Sequence, residues 1–213
     1  MEHSERDGFQ AAARIARDLV GRPEVSARWG EESACAGMSI GGLACHLGSQ
    51  TDLAVRLLEA GRSELTPIPL SEHYARAAWA NTGPDGEANV GIREGSDSQA
   101  AEGPEALRGL LDRRLIELPS ALDGVGSDDP VLIPWQGWAL TAHDFLVTRL
   151  METAVHSDDL AASVGLETPE FPDVVVSPVL VLLTGLAVRR HGATALVRTL
   201  TRPQRAPGSV AAF

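Results

Sequence analysis

The 213-residue sequence contains no lysine: all 18 basic residues are arginine, set against 29 acidic residues for a formal net charge of −11. A surface of that sign repels phosphate backbones, so no nucleic-acid partner is expected. Exclusive use of Arg beside abundant Ala, Gly and Val is a codon-level mark of a GC-rich bacterial genome and carries no information on fold. Cysteine is scarce. Cys35 and Cys45, ten residues apart, frame no disulfide scaffold, and the polar, charged stretch 1–7 lacks the apolar run of a secretory leader. Long apolar runs are missing too. The longest, 174–188, is interrupted by Ser177, Pro178 and Thr184 and falls short of the roughly 20 residues a membrane span needs. It reads as a buried helix. Together these absences predict a soluble, cytoplasmic protein with no membrane partner.

What remains is ordinary globular composition, 44% hydrophobic and 22% charged, which predicts a folded chain rather than a disordered one. A chain of this length buries roughly 70% of its unfolded surface. The expected organisation is one domain over 1–213, with a core bundle at about 8–165 and a C-terminal helical extension at about 174–213.

The periodicity is helical throughout, which makes the fold class all-α. Phe9, Ala12, Ile15, Ala16 and Leu19 share one face of a first helix, which Gly21 and Pro23 stop. Ser39 is a plausible N-cap for a second helix from about 40 to 61, where Ile40, Leu43, Leu47, Ala54, Leu57 and Leu58 recur on one face with His46 beside them. Residues 67–104 are rich in Gly, Asp and Asn and read as a long connection, apart from a short helix over 72–79. A third helix over about 106–122 has Leu107, Leu110, Leu111, Leu115, Ile116 and Leu118 on its core side. A fourth runs from near Thr141 to about Val164, with Gly165 as its stop. A strongly apolar helix follows over 179–191, then a short one over about 193–200, and a tail that packs by Phe213 or not at all.

On the fourth helix, Arg149, Glu152, His156 and Asp159 fall on one face, bordered by Phe145, Leu146, Leu150, Val155 and Leu160. Such bordering predicts that the polar face points into the bundle. A carboxylate and an imidazole four residues apart project side by side, about 6 Å apart along the axis, close enough to hold one ion. His46, mid-helix and near the core stripe of the second helix, is the natural third ligand. Two imidazoles and a carboxylate with an open position form the ligand set of a catalytic rather than a structural zinc site. The same spacing also fits a buried His satisfied by a Glu, with no metal at all.

Two segments carry a resemblance. Gly37-Met-Ser-Ile-Gly-Gly-Leu-Ala-Cys-His46-Leu resembles the first metal-ligand helix of the DinB/YfiT-like superfamily, and specifically the N-terminal domain of mycothiol-dependent maleylpyruvate isomerase. Thr148-Arg-Leu-Met-Glu152-Thr-Ala-Val-His156-Ser-Asp-Asp159-Leu-Ala is similar to that family's second signature, and the stretch from Arg190-His-Gly192 to Arg202-Pro-Gln-Arg205-Ala-Pro to the C-terminal helix and tail of its short members. The two signatures stand in the family's order, about a hundred residues apart.

The resemblance implies a DinB-like four-helix bundle with additional C-terminal helices. His46, Glu152 and His156 would be the ligands of a divalent metal, zinc first, with nickel, manganese or iron as alternatives. Asp159 and Arg149 are the implied catalytic residues: Asp159 accepts a hydrogen bond behind the ligands, contacts substrate, or is a surface acid at the helix end. Arg149 pairs with Glu152 or Asp159 or receives an anionic substrate. His73 and His143 are expected at the surface or a cleft mouth, His191 as a charge at a helix C-terminus, and Trp135 and Trp138 in the core or at a rim. The implied activity is a metal-dependent thiol S-transferase, in which a metal-bound thiolate, mycothiol first, with bacillithiol or glutathione as alternatives, attacks a small electrophile. A homodimer is expected from the family. Its isomerases carry a second, C-terminal domain that contributes an active-site Arg, for which 213 residues leave no room, so isomerisation itself is not expected. The other functional classes are a non-catalytic metal-binding bundle and a bundle recruited to metal-independent acid–base chemistry, isomerase or cyclase, in natural-product biosynthesis.

Overall fold

A computed structural model describes residues 3–213, with side chains from residue 5 onward. Phe9, Ala12, Ala13, Ala16, Leu19 and Val20 are all buried on one face of α1 (His3–Val20), with Ile15 half-buried at its edge. The helix begins six residues before the apolar pattern does, because its first turns are polar. After the short α2 (Pro23–Ala27), α3 (Ile40–Glu59) opens at Ser39, whose hydroxyl accepts the Gly42 N–H at 2.9 Å, the cap expected from sequence.

α1 and α3 form a four-helix bundle with α7 (Pro104–Asp123) and α8 (Ala142–Val164), each helix packing on its neighbours around the bundle. Leu118, Leu122, Leu140, Phe145 and Met151 are fully buried at one end, and Leu43, Leu47, Leu111 and Leu160 at the other. Each buried Leu contributes about 1.5–3 kcal/mol relative to exposure. The all-α class holds: among the described residues the β structure in named strands is one hairpin, β1 (Pro130–Ile133) antiparallel to β2 (Trp138–Thr141), with Ile133 opposite Trp138. The hairpin sets the start of α8, since Thr141 at its end accepts the Asp144 N–H at 3.0 Å.

Three expectations are corrected. The connection over 67–104 is mostly helical: α4 (Leu70–Arg76), α5 (Ala78–Asn81) and α6 (Glu87–Ala100) occupy it, and α6 packs on α3. α6 has two glycines and no apolar stripe. It is held by its last turn, where Asp97 accepts from the Ser39 hydroxyl at 2.5 Å and Ala100 O accepts from Trp29 Nε1 at 2.8 Å. Ile116 faces solvent, 81% exposed, because α7 turns its Leu107, Leu111 and Leu118 face inward.

The apolar segment near the C-terminus is not a buried helix. It forms α9 (Asp173–His191), of 19 residues and mean hydropathy 1.5, long and apolar enough to cross a membrane by length and composition. One face, with Val175, Val179, Leu182 and Leu186, packs on the bundle, while Leu180 and Val181 on the other stay exposed. α10 (Ala193–Thr201) follows. The tail packs by Phe213, whose ring lies 5.1 Å from Trp79 and 6.0 Å from Tyr74.

Candidate metal centre

The site is built where α3 and α8 face each other. α8 carries Glu152 and His156 one turn apart, and ends where Gly165 takes a left-handed conformation (φ 73°). α3 brings His46 alongside because its N-terminal half is narrow. A β-carbon at Gly41 would meet the Trp29 ring at 2.6 Å, and one at Gly42 would overlap Asp97. The Gly-Gly pair thus lets α6 and the loop before α3 seat against the helix that carries His46.

The three donors converge. His46 Nε2 lies 3.4 Å and His156 Nε2 3.2 Å from the same oxygen, Oε2 of Glu152, and the two rings meet edge to face with centroids 4.7 Å apart. All three ligating atoms lie within 4.8 Å of one another. Behind His156, Asp159 Oδ2 stands 2.9 Å from Nδ1 and also accepts from the Cys35 thiol at 3.4 Å. Glu152 is buried, and both imidazoles are half-buried at the edge of a cleft of about 1930 Å³.

The chain matches the family model described as the mycothiol maleylpyruvate isomerase N-terminal domain, over residues 9–161. The chain belongs to this family. Comparisons with curated proteins and with solved structures give no match.

In this mycothiol maleylpyruvate isomerase family domain, the surroundings shift the protonation of Glu152, His156 and Asp159. Burial drives the Glu152 carboxyl upward, but the hydrogen bonds of His156 and His46 and the nearby Arg149 charge outweigh it, leaving the carboxylate well below its usual range. Burial likewise opposes charge on His156, and is outweighed by its bonds to Asp159, Cys35 and Glu152, so the imidazole holds its proton well above the usual range. Asp159 is held low, its partial burial overcome by His156 and Cys35. The residues fit a divalent ion in kind and spacing: one carboxylate oxygen and two imidazole nitrogens lie within 4.8 Å of one another, and His156 has the carboxylate partner on its far nitrogen that metal-bound histidines ordinarily carry.

The polar face of α8 is thus gathered, though not all of its neighbours are inside. Val155, expected among the apolar border, is exposed at the cleft. Arg149 pairs with neither Glu152 nor Asp159 at ion-pair distance. Its guanidinium donates to Gln50 Oε1 at 2.6 Å and to Thr148 Oγ1 at 3.1 Å, because Gln50, one turn after His46 on α3, reaches it first. His73 is buried rather than at the surface: its Nδ1 accepts from Trp138 Nε1 at 3.1 Å, and burial lowers its pKa to about 4. His143 is exposed and pairs with Glu5 at 2.7 Å. Trp135 is exposed at the cleft rim, and Trp138 half-buried. His191, the last residue of α9, is bonded to Ala211 O at 2.8 Å.

Sequence reading passes over Cys35, Gln50 and Tyr74. Gln50 carries a usable signal, lying four residues after His46 on the same helical face. Cys35 and Tyr74 reach the cleft from loop and short-helix segments whose placement no periodicity encodes.

Proposed function

We propose that this protein is a metal-dependent thiol S-transferase that conjugates a low-molecular-weight thiol, mycothiol first, to a small electrophile. The observation that carries the reading is the convergence of His46, Glu152 and His156 at the edge of a cleft of about 1930 Å³, larger than the roughly 300–1,000 Å³ of an ordinary small-molecule pocket. Such a cleft has room for two ligands, one bulky. Family membership supports mycothiol as the thiol.

His46, Glu152 and His156 would hold the ion, zinc by preference, since two imidazoles and a carboxylate with open positions suit it. A divalent ion there supplies Lewis acidity that makes a thiol available as thiolate at neutral pH. The chain's residues do the rest. Asp159 takes the Nδ1 proton of His156 as a hydrogen bond, which fixes the tautomer and turns Nε2 toward the centre. Glu152 adds a negative charge that offsets the ion. Gln50 ties α3 to α8 by accepting from Arg149 while donating to His46 O at 2.7 Å, which holds the helix turn that bears His46.

The test is conjugation of mycothiol to chlorodinitrobenzene by zinc-loaded protein, with His156→Ala and chelated protein as controls. Product formation lost in both controls supports the reading. Absence of metal-dependent product with mycothiol, bacillithiol and glutathione alike would refute it, and turnover that survives chelation would point to acid–base chemistry instead.

A further inference from the structure

Charge is divided along the chain. Residues 1–173 carry 13 arginines against all 29 acidic residues, whereas residues 174–213 carry five arginines, Arg189, Arg190, Arg198, Arg202 and Arg205, and no acid. Among the described residues no carboxylate lies at ion-pair distance from any of the five: Arg189 donates to Ser71 O and Arg202 to Thr201 O, backbone carbonyls that leave their charges unneutralised. The same segment leaves apolar side chains in water. α10 packs on α9 and buries no residue of its own. Its Val197 and Leu200, one turn apart, are 59% and 73% exposed, with Arg198 between them in sequence and Arg202 at the end of the helix. α9 adds Leu180, Val181 and Val188, all exposed.

We propose that α10, with the exposed face of α9, docks the protein on the surface of an anionic lipid bilayer. Exposed apolar side chains mark a docking face, and the arginines decide its partner. A second copy meeting this face through a two-fold axis would set two groups of five arginines together with no acid between them. A nucleic acid would match the charge and leave Val197 and Leu200 uncovered. An anionic bilayer takes both: α10 lies in the interfacial plane, its apolar side chains enter the acyl boundary, and Arg198, Arg202 and Arg205 meet lipid phosphates. The acidic remainder of the chain is repelled by the same surface and stays on the water side, which sets the orientation. α9 does not cross, because Val175, Val179, Leu182 and Leu186 are committed to the bundle. Surface docking needs no span, so the expectation of no membrane partner, drawn from the length of the apolar runs, is revised at this face.

The experiment is co-sedimentation of the full chain with vesicles of phosphatidylcholine and with vesicles of equal parts phosphatidylcholine and phosphatidylglycerol. Binding to the anionic vesicles, weakening as salt rises and absent from phosphatidylcholine, is expected. Arg198→Gln and Arg202→Gln should each weaken it about fivefold, and Val197→Ser combined with Leu200→Ser about tenfold. These side chains are exposed, so the variants should melt within about 2 °C of the wild type, which separates lost docking from lost folding. No binding to anionic vesicles, equal binding to both kinds, or variants that bind as the wild type does would overturn the proposal. So would light scattering that finds a dimer which Val197→Ser with Leu200→Ser dissociates, because the face would then belong to a second copy.

Discussion

His156 is held from both sides: Nδ1 lies 2.9 Å from Asp159 Oδ2 and Nε2 lies 3.2 Å from Glu152 Oε2. One imidazole thus joins the acid behind the site to the acid within it, and removing either should be felt at the centre.

Asp159→Asn is expected to weaken metal binding by about 10–100-fold, the usual cost of losing the partner that orients a metal-bound histidine. Competition with a calibrated chelator measures it. An unchanged affinity would mean that Asp159 serves only Cys35 or the surface.

Metal uptake should release protons and strengthen as pH rises, because His156 must give up a proton that the metal-free site holds unusually firmly. In metal-free protein Glu152 and His156 act at opposite ends of the pH range. The lowered Glu152 contributes stability that is present above its ordinary value near 4.5 and lost as pH falls through its folded value. The raised His156 contributes stability that is complete below its ordinary 6.5 and lost as pH rises through its folded value. Melting temperature of the metal-free chain should therefore peak between about 4.5 and 6.5 as far as these two groups decide it, and bound metal should protect most on the alkaline side.

His73 acts in the opposite sense to His156. Its folded pKa of about 4 lies below the ordinary 6.5, so the unfolded chain takes up a proton that the folded chain refuses. Stability should fall as pH drops from 6.5 towards 4, by up to about 3 kcal/mol from this group. Denaturant melts of His73→Gln, compared with the wild type across that range, should show a shallower acid loss.

Gly42→Ala should destabilise the fold by about 1–3 kcal/mol, because the added methyl group displaces Asp97 and with it the bond to Ser39 that docks α6. Combining it with Asp97→Ala should cost less than the sum of the two, since both remove the same contact. Additive losses would show that the glycine serves backbone conformation alone.

The contrast between α8 and α6 shows what a sequence can reveal of this molecule. In α8 the cap, the stop and the polar face are all local features, so Thr141, Gly165 and the run from Arg149 to Asp159 are legible from residue types and spacing alone. His46 is legible for the same reason, sitting beside an apolar stripe with Ser39 as its cap. α6 has no local signature, since it is held by Asp97 and Ala100 reaching residues 58 and 71 positions away. For α9, hydropathy alone cannot say which face is covered, and Leu180 and Val181 stay exposed.

The most direct test of the metal centre is elemental analysis of protein purified without added metal, for the wild type and for His156→Ala. About one zinc or other divalent ion per chain in the wild type, lost in the variant, is the predicted result. A wild-type chain that carries no metal and takes up none from micromolar solution would contradict it, and Glu152 with its two histidines would then be a buried ion-paired cluster and no metal site.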